Sequence, residues 1–109
     1  MKAKIKPESM EWAAGNVKGF YGKQLLAMDN GSVKLVRVDS QSNYPLHRHP
    51  DKAEYAYVVE GNLEFTIGDE IYDGGPGDFF IFQSMTVHAI HNRTNESGTL
   101  LVGAIAEMK

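Results

Sequence analysis

Residues that favour turns recur at short intervals along this chain of 109 residues, and they restrict its fold more than any other feature. Glycine, proline, asparagine and aspartate supply the backbone conformations that tight turns need. Short runs rich in Val, Ile, Tyr, Phe and Leu separate the turns. This pattern predicts an all-β fold, either a sandwich or a barrel. The turn-forming clusters lie at 29–31, 60–62, 68–69, 74–77 and 95–98.

The apolar runs between the turns are the candidate strands of one predicted domain. Before them, the segment Pro7–Ala14 allows a helical turn, with Trp12 expected to cover a neighbouring surface. The predicted strands are 18–27, 33–39, 44–49, 54–60, 62–67, 70–72, 78–83, 86–92 and 98–106.

The composition excludes several classes of function. Cysteine is absent, so the chain forms no disulfide, no cysteine-ligated zinc site and no thiol nucleophile. The formal net charge is -3, which gives no basic surface for a nucleic acid partner. No apolar run reaches the length of a membrane-spanning helix, and the polar stretch Met1–Glu11 is unlike a signal peptide. We therefore expect a cytoplasmic protein without a membrane partner.

One predicted strand is apolar on both of its faces. In Phe79–Phe82 every residue is apolar, whereas a strand with one solvated face alternates apolar and polar residues. Such a strand needs a second cover, which is either another sheet or another subunit. The sequence leaves open whether Phe80 and Phe82 or Phe79 and Ile81 face the interior.

Two histidines and a glutamate are spaced as metal ligands would be. His47 and His49 are two residues apart, so on a strand both imidazoles lie on one face, with Arg48 on the other. Glu54 opens the next strand, and a tight connection brings its carboxylate close to them. Neutral imidazoles with a carboxylate suit a divalent transition metal.

A third histidine lies on a later strand. His88, Ile90 and Asn92 share one face because they are two residues apart in turn. His91 has the opposite parity. We therefore expect His91 on the outer face or at an interface.

Together these residues resemble the motifs of the cupin superfamily. The first motif, His47-x-His49-x4-Glu54-x6-Gly61, is complete, and a random match to it is expected roughly once in a thousand such chains. The second motif matches at Gly77, His88 and Asn92. The departures from the family pattern are Gln41, where the family often has glycine, and Gln83 and Met85, which replace its usual proline and glycine.

The resemblance implies an all-β double-stranded β-helix, a jelly-roll barrel, with one metal ion in its mouth. The domain is then residues 1–109, with 1–16 as an N-terminal arm and 17–109 as the barrel. The family commonly forms dimers, so a homodimer is expected. Oxygen and nitrogen ligands leave Mn, Fe, Ni, Co and Zn as candidate ions. The implied metal ligands are His47, His49, Glu54 and His88.

The pocket above the metal is expected to be mainly apolar. Ala56 and Val58 share the parity of Glu54, and Ile90 shares that of His88. Phe80 and Phe82 join them if that parity of their strand faces inward. Polar residues that could contact a substrate are Tyr44, Tyr57, Arg37 and Gln83, of which Tyr57 is expected on the outer layer and Arg37 at an exposed position.

Three classes of function fit this site. The first is a metal-dependent enzyme of dioxygenase, isomerase or lyase type acting on a small organic substrate. The second is a non-catalytic module that senses a metal or ligand. A minor alternative within the enzyme class is a uronate-processing cupin, because the segment Pro45–Glu70 is similar to the short pectin-degradation cupins, which open unsaturated uronates. The third is a jelly roll with a vestigial site.

Overall fold

The computed structural model describes residues 2–107, and almost all of its regular structure is β-strand. A single 3-10 turn, Pro7–Ser9, precedes the strands. The strands are β1 Ala13–Ala14, β2 Phe20–Met28, β3 Gly31–Val38, β4 Asn43–His47, β5 Lys52–Glu60, β6 Leu63–Ile67, β7 Glu70–Gly74, β8 Phe79–Phe82, β9 His88–His91 and β10 Gly98–Ala106.

The strands pair into two antiparallel sheets. One has six strands in the order β1-β2-β3-β10-β5-β8, and the other has four in the order β4-β9-β6-β7. Neighbours in space are often distant in sequence, as in the β3-β10-β5 centre of the larger sheet, which is the connectivity of a jelly roll. The predicted all-β jelly roll is confirmed. None of the helical structure in residues 2–107 is long and apolar enough to cross a membrane.

The hydrophobic core lies between the two sheets. Val36, Leu100 and Val58 are side by side across β3, β10 and β5, and all three are buried. From the smaller sheet, Phe65 is fully buried and stacks on Phe80 with ring centroids 4.2 Å apart. Burying such side chains contributes about 1.5–3 kcal/mol each, so this seam supplies much of the stability.

The doubly apolar strand β8 turns alternate residues to the two sides of its sheet. Phe82 is 3% exposed and Phe80 is half-buried, whereas Phe79 and Ile81 are 54% and 57% exposed. Phe80 and Phe82 are therefore the inward pair. Because β8 is an edge strand of the larger sheet, its outer residues have no neighbouring strand beyond them.

The N-terminal arm follows the edge of the larger sheet. The predicted helical turn over Pro7–Ala14 is limited to the short 3-10 turn, and β1 instead pairs with β2. Trp12 covers two cations on the outer face, with its ring centroid 4.4 Å from Lys23 Nζ and 5.4 Å from the guanidinium carbon of Arg37. Arg37 is accordingly half-buried rather than exposed as expected.

Two residues at family glycine positions have left-handed backbones. Gln41 has φ 61° and Met85 has φ 66°. Only glycine adopts this region without steric penalty, which explains why the family favours glycine at these points. At Gln41 the side-chain amide offsets this steric penalty, since it donates to the carbonyl oxygens of Arg93 (3.1 Å) and Thr94 (3.0 Å).

Asn92, which shares the inner face with His88, organises a turn and does not take part in the metal cluster. It is 1% exposed, and its amide donates to the carbonyl oxygens of Val38 (3.1 Å) and Glu96 (2.8 Å). Its own oxygen accepts from the Thr94 backbone N–H (3.0 Å) and hydroxyl (2.7 Å). All of its polar atoms are therefore paired, and the buried amide fixes the turn between β9 and β10.

Candidate metal centre

The four implied ligands converge in space. We call them the His/Glu cluster, and one ligand atom from each lies within 4.8 Å of all the others. Two of its members sit on paired strands of the smaller sheet, where His47 of β4 faces His88 of β9. The cluster consists of His47, His49, Glu54 and His88.

Glu54 connects the two sheets at this point. It lies on β5 of the larger sheet, and its Oε1 is 2.8 Å from Nε2 of His49 and 3.3 Å from Nε2 of His88. The imidazoles of His47 and His88 are in ring contact, with centroids 4.1 Å apart. The cluster therefore spans the open end of the gap between the sheets.

A bulge in β4 sets the direction of His47. The register between β4 and β9 shifts between Tyr44, which faces Ile90, and His47. The extra residue lets Tyr44 and His47 face the same side although they are three apart, and their rings are 4.6 Å apart.

Backbone carbonyls orient two of the imidazoles. Nδ1 of His47 is 2.9 Å from the Pro45 carbonyl oxygen, and Nδ1 of His88 is 3.0 Å from that of Thr86. A carbonyl only accepts, so each Nδ1 carries the hydrogen and donates it. The lone pair is then on Nε2, which faces the cluster, as in metal-binding histidines supported by a second shell of hydrogen bonds.

Ring stacking and one further hydrogen bond restrict the movement of the cluster residues. The Phe82 ring stacks on His88 with centroids 4.4 Å apart and planes 8° apart. The Met85 backbone N–H donates to the His49 carbonyl oxygen at 2.7 Å, which joins the loop after β4 to the loop before β9. The ligands are therefore placed by the fold itself.

The surroundings of His47 and Glu54 favour the protonation states that bind metal. Burial lowers the pKa of His47; the hydrogen bond to Pro45 opposes this, and the charge of His88 adds to the lowering. Burial would raise the pKa of Glu54, but a hydrogen bond from Nε2 of His88 when that ring is protonated, together with the positive charges of protonated His49 and of Lys52, outweighs it, so the pKa is lowered. A neutral imidazole and an ionised carboxylate are the forms that coordinate an ion.

The donor set and its dimensions fit a divalent transition metal. Bonds of about 2.1 Å put ligand atoms on opposite sides of an ion about 4.2 Å apart. The largest separation in the cluster, 4.8 Å, reaches that value with small side-chain rotations. Three imidazole nitrogens and one carboxylate oxygen suit Mn, Fe, Co, Ni and Zn alike.

A cavity of about 490 Å³ opens above the cluster. Of the predicted pocket residues, Phe82 and Ile90 line it. Ala56 and Val58 are fully buried in the core and Phe80 packs on Phe65, so these three lie away from the cavity wall. The other apolar lining residues are Phe20, Val36 and Val102.

The cavity also contains polar residues that the sequence interpretation missed. Gln24, Lys34 and Lys52 line it, and so does the arm from Ala13 to Asn16. Strand parity could have indicated Lys52, which is two residues before Glu54, and Lys34, which is two before Val36. The arm gave no comparable pattern, since only its pairing with β2 brings it to the cavity.

Of the polar residues predicted as possible substrate contacts, one lines the cavity and three do not. Tyr44 lines the cavity, whereas Tyr57, Arg37 and Gln83 do not. Tyr57 is 40% exposed on the outer layer, as expected. His91 is outside the cluster, with its Nδ1 2.7 Å from Oδ1 of Asn43.

Comparison with known proteins links this architecture to one family. A family model described as Cupin domain matches residues 34–103, which is more than half of the chain. The matched segment contains the whole His/Glu cluster. No curated protein sequence gives a significant match.

Several solved structures share the fold. A predicted oxalate decarboxylase from Thermotoga maritima is 18% identical, with a TM-score of 0.88 over 95% of this chain and 99% of that one. A sugar phosphate isomerase from a cupin superfamily, from Silicibacter pomeroyi, is 22% identical, with a TM-score of 0.80 over 94% and 74%. The polyketide cyclase RemF from Streptomyces resistomycificus is 19% identical, with a TM-score of 0.86 over 98% and 81%. At these identities the likeness shows the fold alone.

Removing one ligand should strongly weaken metal binding without unfolding the protein. We expect His49→Ala, whose side chain is 30% exposed, and His88→Ala each to weaken metal affinity by about a hundredfold or more. His91→Ala is the matched control and should bind as the wild type does. Calorimetric titration with Ni²⁺ measures the affinity, and circular dichroism checks the fold. Equal affinity of the His88 and His91 variants would contradict the assignment.

Acidification should weaken both metal binding and the metal-free fold. Affinity should be constant above pH 7 and then fall by about tenfold per pH unit for each ligand that becomes protonated. The lowered pKa of His47 means that the unfolded chain takes up its proton first, so stability declines as pH falls through 6.5. Glu54, also lowered, adds a loss of the same sign at lower pH. Metal titrations at pH 5 to 8 test the affinity, and denaturation over the same range tests the stability of the metal-free fold. Metal binding that does not depend on pH would refute the ligand set.

Proposed function

This chain belongs to the cupin domain family, and we propose that it is a metal-dependent enzyme acting on a small organic molecule. The His/Glu cluster would hold one divalent transition metal, and the cavity above it would bind the substrate. The comparisons support this kind of site, since solved cupins of the same fold are described as an isomerase, a cyclase and a predicted decarboxylase.

The observation that carries the proposal is that the cluster is accessible from the cavity. All four of its side chains line the 490 Å³ space, and those of His49 and Glu54 are 30% and 18% exposed. A purely structural metal site is closed on all sides by its ligands, whereas a catalytic one keeps positions open. The volume lies within the range of small-molecule sites.

The chemistry of the cavity suits reactions at an oxygen-bearing carbon. A bound divalent ion would act there as a Lewis acid that polarises a substrate oxygen. Three neutral imidazoles and one carboxylate leave a net charge of about +1, half of that of the divalent ion. Phe82, Ile90 and Val36 form an apolar wall beside it, which keeps water from competing for the substrate and strengthens charge interactions.

Within this class we favour an isomerase or lyase over a dioxygenase. An isomerisation is redox-neutral overall and requires only polarisation and proton transfer, for which the cavity offers the hydroxyl of Tyr44. The description of one solved cupin as a sugar phosphate isomerase is in keeping with this choice.

The test is turnover by protein of known metal content. Protein purified without chelator should contain close to one equivalent of a transition metal, and activity on sugar phosphates, uronates and 2-oxo acids should follow the metal added back. Glu54→Ala should lose activity by about a thousandfold because the ion is no longer held in place. Unchanged rates under argon support an isomerase or lyase, whereas oxygen consumption would identify a dioxygenase.

Two results would count against an enzyme. Metal-loaded protein that binds these compounds without converting any of them would favour the non-catalytic sensing module. Metal content below about a tenth of an equivalent, with no uptake on addition, would indicate a vestigial site.

We also propose that the active form is a homodimer. The outer face of β5 and β8 exposes Tyr57, Phe79 and Ile81, and Tyr55 stacks on Phe79 with centroids 5.5 Å apart. Contiguous exposed apolar side chains on an edge strand favour association, and a second copy offers a surface of the same chemistry. The homodimer would cover the side of β8 that its own sheet leaves open.

Charged substitutions on this face should therefore produce a monomer. Phe79→Lys combined with Ile81→Lys should halve the mass measured by light scattering while the thermal transition stays cooperative, because both side chains are already more than half exposed. Ile71→Lys is the control, since Ile71 is 67% exposed on the edge strand of the other sheet. A wild-type protein that is monomeric at micromolar concentration contradicts the proposal.

A further inference from the structure

The inner face of the larger sheet carries two lysines at its open end. Lys34 of β3 and Lys52 of β5 have the strand parity that points between the sheets. Further along that face, Lys34 is followed by the buried Val36, and Lys52 is followed by Glu54 and then by the buried Ala56. Lysine is rare on a strand face that points between two sheets, because burial of its charge is unfavourable. The two lysines therefore give the open end of this face a positive charge.

The side chain of Lys34 leans into the cavity. Its cross-strand partner on β2 is Gln24, yet its Cδ lies over Gly22, where a Cβ would be only 3.9 Å away. Gly22 is two residues further inward on β2, beside Val36. The aliphatic stem therefore covers the space above a glycine and directs the ammonium group toward the cavity.

Lys52 lines the same cavity from the start of β5. It is half-buried, it is two residues before Glu54, and it pairs with Ala106 of β10. Its position places a positive charge at the rim, on the same strand face as the carboxylate ligand.

Neither lysine is held in a close ion pair within the described residues. Within residues 2–107 their ammonium groups make no ion pair and no side-chain hydrogen bond, and Glu54 is the only carboxylate among the residues that line the cavity. A divalent ion held at Glu54 would leave the cavity strongly positive. A partly closed, positive cavity concentrates anions and favours anionic over uncharged ligands.

We propose that the substrate is a small organic anion whose carboxylate or phosphate group is bound by the cavity lysines Lys34 and Lys52. Its reacting oxygen then faces the His/Glu cluster, so the lysines determine specificity and orientation while the cluster carries the chemistry. This inference rests on the proposed metal-dependent function and narrows it to one substrate class.

The test compares three sugars that differ in charge. Isothermal titration measures the binding of glucose, glucuronate and glucose 6-phosphate to Mn²⁺-loaded and to metal-free protein. Both anions should bind to each form at least about tenfold more tightly than glucose, and this preference should fall as NaCl is added. Carboxylate and phosphate are distinguished by which of the two anions binds better.

Substitutions then identify the groups responsible. Lys34→Met with Lys52→Met keeps the stems and removes the charges, and it should bring both anions to the affinity of glucose without changing the Mn²⁺ content. The matched control, Lys2→Met with Lys4→Met, removes the same charge from exposed positions of the arm and should keep the preference.

The outcomes separate this inference from the proposed function. Equal binding of charged and uncharged sugars, no binding of any of them, or a preference that survives loss of both lysines would overturn the anion proposal. Protein that takes up no Mn²⁺ but prefers the anions in a lysine-dependent way would instead refute the metal-dependent function and support the anion site.

Discussion

Aromatic contacts across the gap between the two sheets are the interaction on which the rest of this structure depends. Phe80 and Phe82 of the larger sheet stack on Phe65 and His88 of the smaller one, at 4.2 and 4.4 Å. Buried aromatic pairs of this kind contribute about 0.5–1.5 kcal/mol each beyond the area that they bury. The second contact also positions the His/Glu cluster, since Glu54 is the direct strand neighbour of Phe82 and lies beside the stacked His88. The same packing therefore closes the core and assembles the cluster.

A single strand face serves two purposes along its length. On β5, the inward residues run from Lys52 and Glu54 at the cavity to Ala56 and Val58 in the core. Polar groups are tolerated only where the sheets separate enough to admit solvent or a ligand, because an unpaired buried polar group is costly. Position along the strand thus decides whether an inward residue is core or site. This explains why Ala56 and Val58, with the right parity, lie beneath the cavity and not in its wall.

Much of the site could be predicted because its residues are either close together in the sequence or part of a motif of the family. His47, His49 and Glu54 are close in sequence, and His88 follows from the resemblance to cupins. The parity of Phe79–Phe82 could not be fixed, since the left-handed backbone at Met85 breaks the alternation between β8 and β9. The arm was missed because only its pairing with β2 brings it to the cavity, and its sequence has no pattern that predicts this pairing.

The unusual backbone at Met85 also bears on how well the cluster is prepared for an ion. A left-handed non-glycine residue costs about 1–2 kcal/mol, so it persists only where its surroundings require it. The side chain of Met85 is 51% exposed and gains little from packing, whereas its backbone N–H is held by the His49 carbonyl oxygen at 2.7 Å. That bond ties the ligand after β4 to the loop that delivers His88. The hydrogen bond therefore maintains the relative position of two members of the His/Glu cluster from separate motifs, and binding of an ion would require little further ordering of either loop.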